Sequence, residues 1–108
     1  MLSTNQVNVN MKLKEFDLKS VRITGGPLKH AMELNKEYVL KLEPDRLLSR
    51  FREFAGLQPK APHYEGWEAQ GISGHSLGHY LSAAAMMAAA NDDEVFKRIV
   101  NYIVDELE

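Results

Sequence analysis

His75-Ser-Leu-Gly-His-Tyr-Leu-Ser-Ala-Ala-Ala-Met-Met-Ala-Ala-Ala90 decides the fold class of this chain. Almost every residue after its histidines is small or apolar. Leu77, Tyr80, Leu81, Ala84, Ala85, Met87 and Ala88 cover nearly the whole circumference of the helix that the run predicts. A helix that is apolar all round is expected to be buried on all sides. Downstream, Asn91-Asp92-Asp93 stops it and caps a further helix from Glu94 to the end. That helix carries the stripe Val95, Phe96, Ile99, Val100, Ile103, Val104 and Leu107, with Asp93 and Glu94 placed favourably at its positive end.

Two more helices precede the long loop 57–74. Thr24-Gly-Gly-Pro27 reads as a turn into a helix from about Pro27 to Leu42, with Thr24 as its cap and proline in its first turn. Leu28, Ala31, Met32, Tyr38, Val39 and Leu42 recur with a 3.6-residue period, and Asn35 completes the stripe. Glu43-Pro44-Asp45 restarts the chain as a helix whose apolar face is Leu47, Leu48, Phe51, Phe54 and Ala55, ended by Gly56. Arg46, Arg50 and Arg52 read as a solvated face. Phe16 to Ile23 reads as a short extended segment, and residues 1–15 as a disordered or extended lead. The expected fold is all-α, about four helices in antiparallel hairpins spanning residues 16–108. Three other helices are too few to surround the third, so the missing wall belongs either to a larger helical assembly or to a homo-oligomer.

The chain has 108 residues, enough for one domain. Hydrophobic residues make up 44% and charged residues 26%, as in ordinary globular proteins. A net charge of -2 argues against nucleic acid or an anionic membrane as partner. No cysteine is present, so this chain supplies neither a disulfide nor a thiolate ligand or nucleophile. Met1 to Asn10 lacks the pattern of a signal peptide. The longest apolar run, Leu81 to Ala90, is far short of the ~20 residues that span a bilayer. A cytoplasmic protein without membrane association is expected.

The chemistry concentrates in Tyr64 to His79. His75 and His79 lie four apart and share a helix face. That spacing can chelate a metal, with Glu65, Glu68 or His63 folding back. The zincin pattern, however, needs glutamate where Ser76 stands. The histidines could instead bond the loop backbone or a polar ligand. Glu65 and Glu68 could form a carboxylate pair. Trp67 between them could stack on the apolar face of a sugar or plug the loop onto the core. Gly74 and Gly78 frame the helix start, where glycine allows close backbone approach.

Val21-Arg-Ile-Thr-Gly-Gly-Pro27, Glu33-Leu-Asn-Lys-Glu-Tyr38, Asp45-Arg-Leu-Leu48, Phe51 to Gly56, Gly66-Trp-Glu68 and Gly74-His-Ser-Leu-Gly-His-Tyr-Leu-Ser-Ala83 together resemble the N-terminal part of glycoside hydrolase family 127, the β-L-arabinofuranosidase-like enzymes. The resemblance covers about residues 16–108. It implies that the four helices open an (α/α)6 barrel in a longer protein. It implies a sugar site at the barrel mouth, lined by Gly66-Trp67-Glu68 and by His75 to His79. Enzymes of the family use a zinc-bound cysteine nucleophile, further cysteine and glutamate ligands and a glutamate acid/base, all from later in the barrel. Lacking cysteine, this chain looks like a fragment without that machinery. The expectation is part of a glycoside hydrolase acting on L-arabinofuranoside-type plant or glycoprotein glycans. Trp67, Glu68, His75 and His79 would bind substrate, with no catalytic residue, metal ligand or cofactor in this chain, and no hydrolysis by it alone. The rival is a non-catalytic interaction module that self-associates through its third and fourth helices.

Overall fold

A computed structural model describes residues 12–108. The expected disordered or extended lead, residues 1–15, lies for the most part outside them. Four helices make up the fold: α1 (Gly26–Lys41), α2 (Pro44–Phe54), α3 (His75–Asn91) and α4 (Glu94–Leu107). Among the described residues there is no β-strand. No helix there is long and apolar enough to cross a membrane.

The boundaries follow from local chemistry. α1 stops where the Leu42 N–H turns back to the Val39 carbonyl at 3.2 Å, and Pro44 opens α2 with φ already fixed for a helix. Gly56 follows α2 in the left-handed region. α3 ends at Asp92, also left-handed, a conformation that aspartate tolerates better than most residues. One residue later the Asp93 carboxylate accepts the Val95 N–H at 3.0 Å and caps α4. This two-residue corner folds α3 and α4 into an antiparallel hairpin. The same Asp93 carboxylate pairs with Lys36 of α1, so one acid caps α4 and tethers α1.

The core is small: Val39 from α1, Leu47 and Leu48 from α2, Leu77, Tyr80 and Ala84 from α3, and Phe96 and Ile103 from α4. Leu42, Tyr64, Leu81, Met87, Ala88, Ile99 and Val100 pack around it. Arg52 of α2 and Lys60 of the following loop both bind the Glu106 carboxylate on α4. They lock the loop to the hairpin and depress the Glu106 pKa, mainly through the Lys60 hydrogen bond.

Several sequence expectations are corrected. α3 is not wrapped on all sides. Ala85, Met86 and Ala89 are exposed, and Met86 keeps 53% of its surface. Of the α1 stripe only Val39 is buried, while Leu28, Ala31, Asn35 and Tyr38 face outward. The segment from Phe16 to Ile23 is not extended throughout, although Asp17 and Val21 are. The Ser20 N–H bonds to the Asp17 carbonyl at 2.9 Å and coils Leu18–Ser20 into a 3-10 turn. Thr24 does not cap α1, whose N-cap position is Gly25, with no side-chain bond. Arg46 and Arg52 are not a merely solvated face. Arg46 stacks 3.9 Å over the Tyr64 ring and donates to the Pro62 carbonyl, and Arg52 donates to the Gln58 carbonyl.

Candidate sugar-binding site

The loop from Leu57 to Gly74 is long but not structureless. Tyr64 is pinned first. Its Oη accepts the Glu43 N–H at 3.0 Å between α1 and α2, beneath the Arg46 guanidinium. Two residues on, Gly66–Ala69 makes a 3-10 turn. This turn sends Trp67 outward and Glu68 inward. Trp67 is 66% exposed, whereas Glu68 is buried.

Glu68 sits against the start of α3. One carboxylate oxygen accepts the Gly74 N–H and the other the Ser76 N–H, each at 2.8 Å. The N-cap residue, Gly74, has no side chain to do this, and the first turn of α3 holds no acid of its own. Glu68 therefore supplies from the loop both the acceptors and the negative charge that a helix N-terminus favours. Burial opposes its charged form. The Gly74 and Ser76 amides, the Ser76 hydroxyl and His75 outweigh burial, and the pKa lies below its ordinary 4.5. A depressed folded-state pKa gives stability that is complete above the unfolded value and is lost as the pH falls through the folded one. Acidification below pH 4.5 is thus expected to loosen this corner ahead of the core. Hydrogen exchange should show the Gly74 and Ser76 amides losing protection while those in the buried middle of α3, around Ala84, keep it. Equal loss in both places would count against the assignment.

His75 and His79 occupy successive turns of α3, with ring centroids 4.6 Å apart and edges meeting faces. The Trp67 indole lies 6.3 Å from the His75 ring, tilted by 54°. These three rings border a cleft of about 450 Å³ whose far side is α1, through Asn35, Tyr38 and Leu42. A second cleft of about 350 Å³ adjoins it and shares Tyr38, Leu42, Trp67, Ser76 and Tyr80. Tyr80 lines both. Its buried Oη has no hydrogen-bond partner among the described residues, and burial, with Tyr64 nearby, raises its pKa. The face is therefore aromatic, carries imidazole and amide hydrogen-bonding groups, and is open on one side. Such a surface suits a ring with apolar faces and polar edges.

The family model for the GH127 catalytic domain of β-L-arabinofuranosidase matches residues 20–108. The chain belongs to this family. No curated protein matches it. Membership brings the chain among the glycoside hydrolases related to arabinofuranosidase. The zinc that the family implies does not fit the residues present. There is no cysteine, and among the described residues no three His, Asp or Glu side chains converge as a metal would require. His63, named from sequence as a third ligand, bonds the Tyr64 carbonyl instead, at 2.8 Å.

Of the four residues singled out from sequence, the fold brings Trp67, His75 and His79 to one cleft and turns Glu68 beneath them. Glu65 and the largely buried Glu68 both line the adjoining cleft. Sequence reasoning missed Tyr38 and Tyr80 as cleft residues, because both sat on helical stripes that read as core. It also missed Tyr64 as the anchor of the loop.

Proposed function

We propose that the chain forms one wall of the sugar-binding cleft of a β-L-arabinofuranosidase-type glycoside hydrolase acting on plant or glycoprotein glycans. Trp67 stacks on a face of the L-arabinofuranose ring. His75 and His79 hydrogen-bond its hydroxyls, and α1 closes the far side through Asn35 and Tyr38. The observation that carries this reading is the exposed Trp67 indole set beside two imidazoles. An indole gains most from burial, and here it is held out by a buried acid. The helices open an (α/α)6 barrel, whose later helices cover the exposed apolar residues of α1 and α3 and bring the nucleophile and any zinc.

Binding and turnover are tested separately. Calorimetric titration of the purified chain with a methyl L-arabinofuranoside should give saturable binding, weakened roughly tenfold or more in Trp67→Ala, the range for losing one stacked aromatic contact. Aryl L-arabinofuranoside should not be hydrolysed by the chain alone. Absent binding in the unmodified chain would sink the sugar reading. Robust hydrolysis abolished by His75→Ala would overturn the assignment of catalysis to other residues.

The exposed Met86, Val95 and Val104 favour a second reading, a module that self-associates through α3 and α4. Light scattering separates the two. A monomer that binds arabinoside supports the first, and a dimer indifferent to sugar supports the second.

A further inference from the structure

We infer that Glu68 is a positioning residue: it fixes the spacing between Trp67 and His75 and takes no ligand itself. The functional half of this inference rests on the sugar-site reading above. The structural half stands on geometry alone.

Gly74 and Ser76, whose amides Glu68 accepts, flank His75 in the chain. The carboxylate thus grips the backbone on either side of His75, while the residue before Glu68 is Trp67. One side chain joins the tryptophan backbone to the histidine backbone across the short segment Ala69 to Ser73. His79 follows one turn along α3, so the whole ring cluster takes its register from this bond pair. The other end of the loop is held by Tyr64 under Arg46. Both oxygens accept backbone N–H groups, the Ser76 hydroxyl adds a further bond, and the residue is only 6% exposed, so Glu68 presents little surface to a sugar hydroxyl.

The identity of the residue is specific to the task. Glutamine would keep one acceptor but turn an NH2 toward the second backbone N–H, leaving that donor unmet. Aspartate keeps the charge but is one methylene shorter, and holds one of the two bonds.

Trp67 is the sole tryptophan, so its fluorescence reports this geometry directly. The test is a double-mutant cycle on emission. His75→Ala should change the Trp67 spectrum in the unmodified chain and should change it little in a Glu68→Gln background. Helical circular dichroism, recorded below the melting transition, should stay unaltered. Arabinoside affinity of Glu68→Gln should fall by up to roughly tenfold, the factor for one misplaced aromatic contact between the ring cluster and the sugar. An undiminished effect of His75→Ala in that background overturns the positioning role. Unchanged sugar affinity in a variant that has lost the coupling overturns its functional half. If the unmodified chain binds no arabinoside yet the coupling depends on Glu68, the positioning role stands and the sugar-site reading falls. Should Glu68→Gln fail to fold, Glu68→Asp carries the same comparison.

Discussion

Phe96→Ala is expected to destabilise the fold by about 3–5 kcal/mol, the range for removing a buried aromatic ring. Phe96 is fully buried and is among the largest of the buried side chains. It projects from the first turn of α4 into the centre shared with Leu48 of α2 and Tyr80 and Ala84 of α3. Lys36 of α1 places its ammonium 5.9 Å from the ring centroid, so the ring also backs the tether that holds α1. The structure has little in reserve. Its Cα radius of gyration is 17.5 Å, against about 13 Å for a compact domain of ~100 residues. Domains of ordinary stability have about 5–15 kcal/mol in total. A loss at the upper end would remove the cooperative transition altogether, and one at the lower end would lower the melting temperature by roughly 12–24 °C. Phe54→Ala is the control. Phe54 lies at the end of α2 and is 81% exposed, so its truncation should change stability by no more than about 0.5 kcal/mol. Thermal and urea unfolding followed by circular dichroism would measure both. Comparable losses from the two substitutions would mean that the core does not centre on Phe96.

The helices were legible because their signals are local. Pro44 opens α2 and Asp93 caps α4, each acting within a turn of its own position. The i,i+4 spacing of His75 and His79 likewise placed two rings together without knowledge of the fold. What failed depended on the supply of neighbours. The alanine-rich face of α3 permits close packing but does not create the helices that would pack there, and Ala85 and Ala89 remain exposed. The same holds for Leu28 and Tyr38 on α1. The role of Glu68 was hidden for another reason. In a capping box the acid lies inside the helix, at a fixed distance from the cap. Here it precedes the helix and returns through a 3-10 turn, so no sequence spacing signals it. The Glu106 bonds to Arg52 and Lys60, 54 and 46 residues away, have no local pattern either. The family motif picked out Trp67, His75 and His79, which the fold brings to one cleft, more closely than periodicity did, since it marks residues by position whatever holds them there.

Gly74→Ala is expected to cost about 1–3 kcal/mol, the range for a residue forced into a sparsely populated backbone region. It should also disorder the ring cluster. Gly74 has φ 95°, a conformation that L side chains rarely adopt. A Cβ built there would lie 2.9 Å from Phe51 Cζ and 3.1 Å from Cε2. The Phe51 ring is 40% exposed and can yield, so backbone strain is the part that cannot be relieved. The Gly74 N–H is also one of the two donors to Glu68. A backbone that rotates to relax φ draws this donor off the carboxylate and frees the Trp67 turn from His75. Gly78, one turn further into α3, makes the opposite prediction. It has no positive φ, and none of the described residues comes within 4 Å of its added Cβ. Gly78→Ala should therefore stabilise α3 by roughly 0.5–1 kcal/mol through helix propensity. Phe51→Ala combined with Gly74→Ala separates the two costs. If steric contact dominates, the second substitution becomes nearly free in the first background. If φ strain dominates, as the exposure of the ring indicates, most of its cost persists. Equal and small effects at Gly74 and Gly78, read by thermal unfolding and Trp67 emission, would show that the Gly74 corner does not hold the site.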